Sequence, residues 1–79
     1  MEIKILGTGC PNCKTLERVT RQAVSELNLD TEIIMEQDIM NILNYGVMRT
    51  PGLVINGKVI FSGKVPSLSA LKDILTKHA

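Results

Sequence analysis

The chain has 79 residues, room for one domain with a lean core, since a domain of this size buries only about 60% of the surface its unfolded chain exposes. Hydrophobic residues make up 44% and charged residues 22%, an ordinary globular composition that excludes disorder and collagen-like repeats. Nine Lys and Arg against eight Asp and Glu leave a net charge of +1 with no basic run, which argues against a nucleic-acid partner.

Glu2 to Leu6 alternates and is rich in β-branched residues, so it predicts a strand, broken by Gly7-Thr8-Gly9. The segment is too short and too charged for a signal peptide, and no apolar run approaches about 20 residues. The expectation is a cytoplasmic monomer with no membrane partner, forming one domain over residues 1–79. From Pro11 onward Leu16, Val19, Ala23, Val24 and Leu27 recur at helical spacing, opposite Lys14, Glu17, Arg18, Arg21 and Glu26. Pro11 suits the first turn, where its missing N–H has no partner to lose, and Asn28 and Asp30 supply the stop.

Thr31-Glu32-Ile33-Ile34-Met35 predicts a second strand, and Asp38 caps a short helix holding Ile39, Met40, Ile42 and Leu43, ended by Gly46. Met35 and Met40 are expected as core fillers and Tyr45 as a packing residue at the helix end. Thr50-Pro51-Gly52 predicts a turn. Leu53-Val54-Ile55 and Val59-Ile60-Phe61 then flank Asn56-Gly57, a strong two-residue hairpin signal. Ser67 caps a last helix with Leu68, Leu71, Ile74 and Leu75 on one face and Lys72, Asp73 and Lys77 on the other. The order β-α-β-α-β-β-α implies an α/β fold: a four-stranded mixed sheet, its first crossover joining parallel strands and its hairpin adding antiparallel ones, with helices on both faces.

Cys10-Pro11-Asn12-Cys13 lies between the glycine break and the first helix. A thiol exchanges disulfides only as thiolate, and a free cysteine of pKa roughly 8.5 is mostly protonated near neutrality. At a helix start, unpaired backbone N–H groups and the positive end of the helix dipole favour the anion. Three residues on, Cys13 sits beside Cys10 and can attack a mixed disulfide formed there. The bland alternative, two small buried hydrophobes, does not require this strand, break and helix context. A structural zinc ion normally takes four protein ligands, and the chain offers two cysteines plus His78, so no metal site is predicted. No cofactor is predicted either.

With Gly7-Thr8-Gly9-Cys10-Pro11-Asn12-Cys13 after the first strand and Thr50-Pro51-Gly52-Leu53 leading into a later one, the chain resembles the thioredoxin and glutaredoxin superfamily along nearly its whole length. It is most similar in look to the small archaeal and bacterial thioredoxin-like redox-active disulfide proteins. The resemblance implies the minimal thioredoxin fold and a dithiol–disulfide oxidoreductase with Cys10 and Cys13 as its catalytic pair. It also implies a cis proline at Pro51 facing the disulfide, with Thr50 and Pro51 docking a disulfide-containing protein or small molecule next to Pro11 and Asn12. Two departures stand out: Gly9 replaces the tryptophan that thioredoxins carry before the first cysteine, and Lys4 is the charged residue where they have a buried acid.

Arg49 and Lys14 either solvate their segments or steer an anionic substrate. Met48 borders the same loop as a candidate apolar contact. Gly63-Lys64-Val65-Pro66 stands in place of the glutaredoxin glycine pair, and Pro66 has no N–H, so the expected electron donor is a thioredoxin-reductase-type flavoprotein rather than glutathione. The alternative function is a Cu(I) chaperone using the same cysteines. Such domains run β-α-β-β-α-β and end on a strand, whereas a helix pattern from Ser67 to Lys77 is the last element here, and Thr50-Pro51 has no role in that reading.

Overall fold

The computed structural model describes residues 1–78, in the order β-α-β-α-β-β-α. β1 (Glu2–Leu6) is central: Ile3 and Ile5 point to one face, Leu6 to the other, and all three are fully buried. β2 (Glu32–Glu36) pairs parallel with β1, Leu6 opposite Glu36, and α1 (Pro11–Glu26) supplies the crossover that parallel neighbours need. β3 (Gly52–Ile55) lies antiparallel on β1's other side, and β4 (Lys58–Ser62) completes the order β2-β1-β3-β4. Asn56 and Gly57 have φ of 52° and 82°, the two left-handed residues that a type I′ hairpin turn demands.

Helices cover both faces, as the element order predicts. On one, α1 and α3 (Leu68–His78) bring Leu16, Ala23, Leu71 and Leu75 against Ile3, Ile5, Leu53, Ile55 and Phe61. Each of the larger side chains contributes about 1.5–3 kcal/mol by leaving water. On the other, α2 (Ile39–Asn44) and the loop after it bring Ile42 and Val47 onto Leu6 and Val54. The expected caps form: Asp38 Oδ1 accepts from Met40 N at 2.9 Å, and Ser67 Oγ from Ala70 N at 3.2 Å. Leu27 ends α1, and Asn28 follows with φ 53°. A helix between β2 and β3 also separates this order from that of the copper carriers. Among the described residues no helix is long and apolar enough to cross a membrane.

Three details depart from the sequence reading. β2 starts one residue later than expected, at Glu32, and Gly52 belongs to β3 rather than to a turn, because its Leu6 and Ser62 partners extend both ladders. Met35 packs partly buried against the core, but Met40 is 64% exposed, with Ile39 and Leu43 exposed beside it. At about 100° per residue these apolar positions fan around too much of a six-residue helix for the sheet to cover, and Ile42 alone is buried.

Lys72 Nζ reaches Glu26 Oε1 at 3.0 Å and ties α3 to the end of α1, and this contact, then one from Gln22, holds the Glu26 carboxyl below its usual range. A carboxyl lowered in the folded state adds stability above its ordinary pKa and loses it as pH falls through the lowered one. The pair is exposed, so its contribution is small.

Thr20 shares the buried stripe of α1 with Leu16 and Ala23, and its Oγ1 is buried with no hydrogen-bond partner. A hydroxyl in that state costs stability, so the nearly isosteric Thr20→Val is expected to stabilise the fold by about 1 kcal/mol. A urea titration checks this: the midpoint should rise, and a fall would mean that the hydroxyl is satisfied in solution.

Candidate redox site

Cys10 occupies the N-cap of α1 in an extended conformation, with Pro11 at the first helical position as its fixed φ favours. Cys13 N donates to Cys10 Sγ at 3.1 Å, and no acidic side chain occupies the first turn to oppose charge on that sulfur. The two cysteines form a disulfide, with Cα atoms 5.0 Å apart. Their exposures differ: Cys10 is half-buried, whereas Cys13 is fully buried. Gly7 explains part of that burial. A Cβ built on it would overlap Cys13 Sγ and lie 2.9 Å from Cys13 Cβ, so the strand end passes flush against the second cysteine only because the residue is glycine.

Sheet register brings the other predicted residues to this place. The β1–β3 ladder ends at Leu6–Gly52, so Gly7-Thr8 and Thr50-Pro51 leave it at the same end of the sheet, and Thr8 and Thr50 line one hollow. The Thr50–Pro51 bond is cis, as the resemblance implies, and Pro51 is buried. On its far side Pro51 O accepts from Gly63 N at 2.8 Å. Pro11 and Asn12 are exposed at the helix start, and Arg49 is exposed with its stem laid along Gly63, where a Cβ would meet Arg49 Cβ at 3.2 Å. A hollow of about 230 Å³ is lined by Thr8, Thr50, Met48 and the α2 residues Ile39 and Leu43, together with the buried Ile42 and Val47.

Sequence reasoning missed the partner of Lys4. Lys4 Nζ donates to the Tyr45 hydroxyl at 3.2 Å and lies 5.9 Å from the ring centroid. That hydrogen bond first, with the negative charges of Glu2 and Glu36, holds the ammonium above its usual range, so Lys4 stays a cation near neutrality and is no proton acceptor. A larger hollow, about 440 Å³, opens around Lys4, Tyr45, Glu36, Asn41 and Asn44, and none of the cysteine loop lines it. Tyr45 lies 41 residues from Lys4, beyond the reach of any local pattern.

A bridged cysteine pair at a helix N-terminus, one residue half-buried and the other fully buried, together with a cis proline at the start of β3, points to a thiol–disulfide redox protein. Comparison with known proteins agrees. Residues 1–76 match the thioredoxin domain family, and the chain belongs to it. A thioredoxin of Methanothermobacter thermautotrophicus is 41% identical over 76 residues, 96% of this chain and 99% of that protein. Two thioredoxins of Methanocaldococcus jannaschii are 37% and 33% identical, over 96% and 87% of this chain and 87% and 84% of theirs. The fold is the minimal thioredoxin fold, and the protein is a thiol–disulfide oxidoreductase.

Proposed function

We propose that the protein reduces disulfides with Cys10 as nucleophile and Cys13 as resolving thiol. The observation that carries this division of labour is the asymmetry of the pair: a half-buried N-cap residue, Cys10, whose Sγ accepts from Cys13 N, and a fully buried partner. The Cys10 thiolate attacks one sulfur of the substrate disulfide; a protein–substrate S–S bond forms, the substrate S–S bond breaks, and the first substrate thiolate leaves with a proton from solvent. Cys13 then loses its proton and attacks Cys10 Sγ, which closes the protein disulfide and releases the second substrate thiol. Two electrons pass from the protein dithiol to the substrate.

The β1–β3 ladder ends at Leu6–Gly52, so Thr50 lies beyond it, and we carry over from the family the docking of a substrate strand against Thr50 and Pro51, next to Pro11, Asn12 and Arg49. The resting donor is a flavoprotein reductase of the thioredoxin-reductase type, working with a monomer in the reducing cytoplasm. Support comes from the Gly63-to-Pro66 connection, where Pro66 offers no N–H to a glutathione carboxylate.

One experiment tests both parts. Oxidised protein receives either glutathione at about 1–10 mM, the upper range of typical substrate levels, or such a flavoprotein with its nicotinamide, and emerging thiols are trapped with limiting iodoacetamide. The expected result is fast reduction by the flavoprotein and label on Cys10 before Cys13. Label on Cys13 first would refute the roles, and saturable reduction by glutathione alone would make the protein glutaredoxin-like.

A further inference from the structure

Five large apolar side chains are exposed among the described residues, and four of them, Ile39, Met40, Leu43 and Met48, lie on α2 or in the loop that follows it. Met48 is 91% exposed, immediately before Arg49-Thr50-Pro51. Scattered exposed apolar residues need no explanation, but a cluster bordering a reactive centre marks a contact surface. Three of the four line the 230 Å³ hollow next to Thr8 and Thr50, which is below the roughly 300–1,000 Å³ of pockets that enclose a whole small ligand. It has the size to take a side chain.

The β4 edge of this sheet end is cationic. Gly63 N bonds Pro51 O, Lys64 follows it in the chain, and Arg49 runs its stem over Gly63. The two ion pairs among the described residues are Arg21–Glu17 and Lys72–Glu26, and neither Arg49 nor Lys64 enters one. Lys64 is exposed, with its Nζ 5.7 Å from the Phe61 ring centroid. Glu36 ends β2 and Asp38 leads into α2, whereas Gly63 and Lys64 follow β4, so in the order β2-β1-β3-β4 acids stand at one edge of this sheet end and cations at the other, with the apolar α2 between β2 and β3 in the chain.

We propose that this surface selects protein disulfides by sequence. The preferred substrate cysteine lies in an extended segment with a large apolar side chain on one side, seated among Ile39, Leu43 and Met48, and with acidic residues on the other, facing Arg49 and Lys64. The occupant is a partner protein's peptide segment, argued from this charge complementarity and from the side-chain size of the hollow. The inference rests on the reading that Cys10 attacks a substrate docked along Thr50.

The test uses the reduced protein and a set of equal-length peptide disulfides: Leu or Ala on one side of the cysteine, Glu or Lys pairs on the other, made in both orders, with oxidised glutathione as a small-molecule reference. Second-order rates of thiol release are measured at about 10 mM and about 1 M salt, where the screening length is roughly 30 and 3 Å. The Leu/Glu peptide is expected to react about 10-fold or more faster than Leu/Lys at low salt, with the ratio collapsing at high salt. It is also expected to outpace Ala/Glu several-fold in both salts, because seating the larger side chain does not depend on charge. Lys64→Glu, at an exposed position, should shrink the Glu-over-Lys ratio, and adding Arg49→Glu should invert it. Leu43→Ser should erase the Leu-over-Ala ratio.

Equal rates for all peptides, or ratios that survive these variants, would overturn the proposal and leave the dithiol chemistry standing. Reduction of none of the peptides would overturn that chemistry, and the proposal with it.

Discussion

Cys13→Ser is expected to halt the reaction halfway, with a mixed disulfide accumulating on Cys10, while Cys10→Ser is expected to lower turnover by at least about 10³-fold. The asymmetry follows from position. Cys10 is the half-buried residue at the helix start, so it is expected to meet substrate whether or not Cys13 is present. Cys13 is fully buried behind Gly7 and can reach only the bond that Cys10 has already made. Once Ser replaces it, no second thiol remains in the chain to expel the substrate. Intact-mass spectrometry after mixing each reduced variant with a peptide disulfide reads the outcome directly. A stable adduct on Cys10→Ser, with none on Cys13→Ser, would reverse the assignment.

Gly7→Ala is expected to be the most damaging single-methyl addition at the site. The new Cβ would occupy the space of Cys13 Sγ and press on Cys13 Cβ, both fixed by the helix start, so strand or helix must shift. Overpacking of this kind costs about 1–3 kcal/mol, and each kcal/mol lowers the melting temperature of a domain this small by roughly 4–8 °C. Gly52→Ala is the informative contrast: its Cβ would meet Leu6 Cδ1 and Phe61 O at 3.5 Å, ordinary contact distance, and the expected loss is under about 1 kcal/mol. Thermal melts of both variants, oxidised and reduced, decide the matter. If the two melt alike, the contact between Gly7 and the second cysteine is not tight in solution.

Much of the site was legible in the sequence because its determinants are local. The N-cap placement of Cys10 needs only a strand, a glycine break, a proline and an amphipathic stretch, all within residues 2–27. The cis Thr50–Pro51 bond was legible only through resemblance, since Thr-Pro by itself reads as an ordinary turn. The environment of Lys4 was not legible at all. Its partner Tyr45 comes from the end of α2, and what a strand residue meets above the sheet depends on which helix is laid there.

By itself the sequence determined the element order, the caps at Asp38 and Ser67, the Asn56-Gly57 hairpin and the position of the reactive pair, because each depends on dihedral preferences and hydrogen bonds within a few residues. Tertiary structure alone decided which apolar residues are core and which are surface. Ile42 is buried while Ile39, Met40 and Leu43, on the same short helix, face outward, because the sheet beneath offers Leu6 and Val54 to only one side. It also decided that Thr8 and Thr50, distant in sequence, line one hollow and that Gly63 bonds Pro51. That convergence follows from the order β2-β1-β3-β4 and its register, and strand order is set by burial of the whole sheet rather than by any one strand's residues.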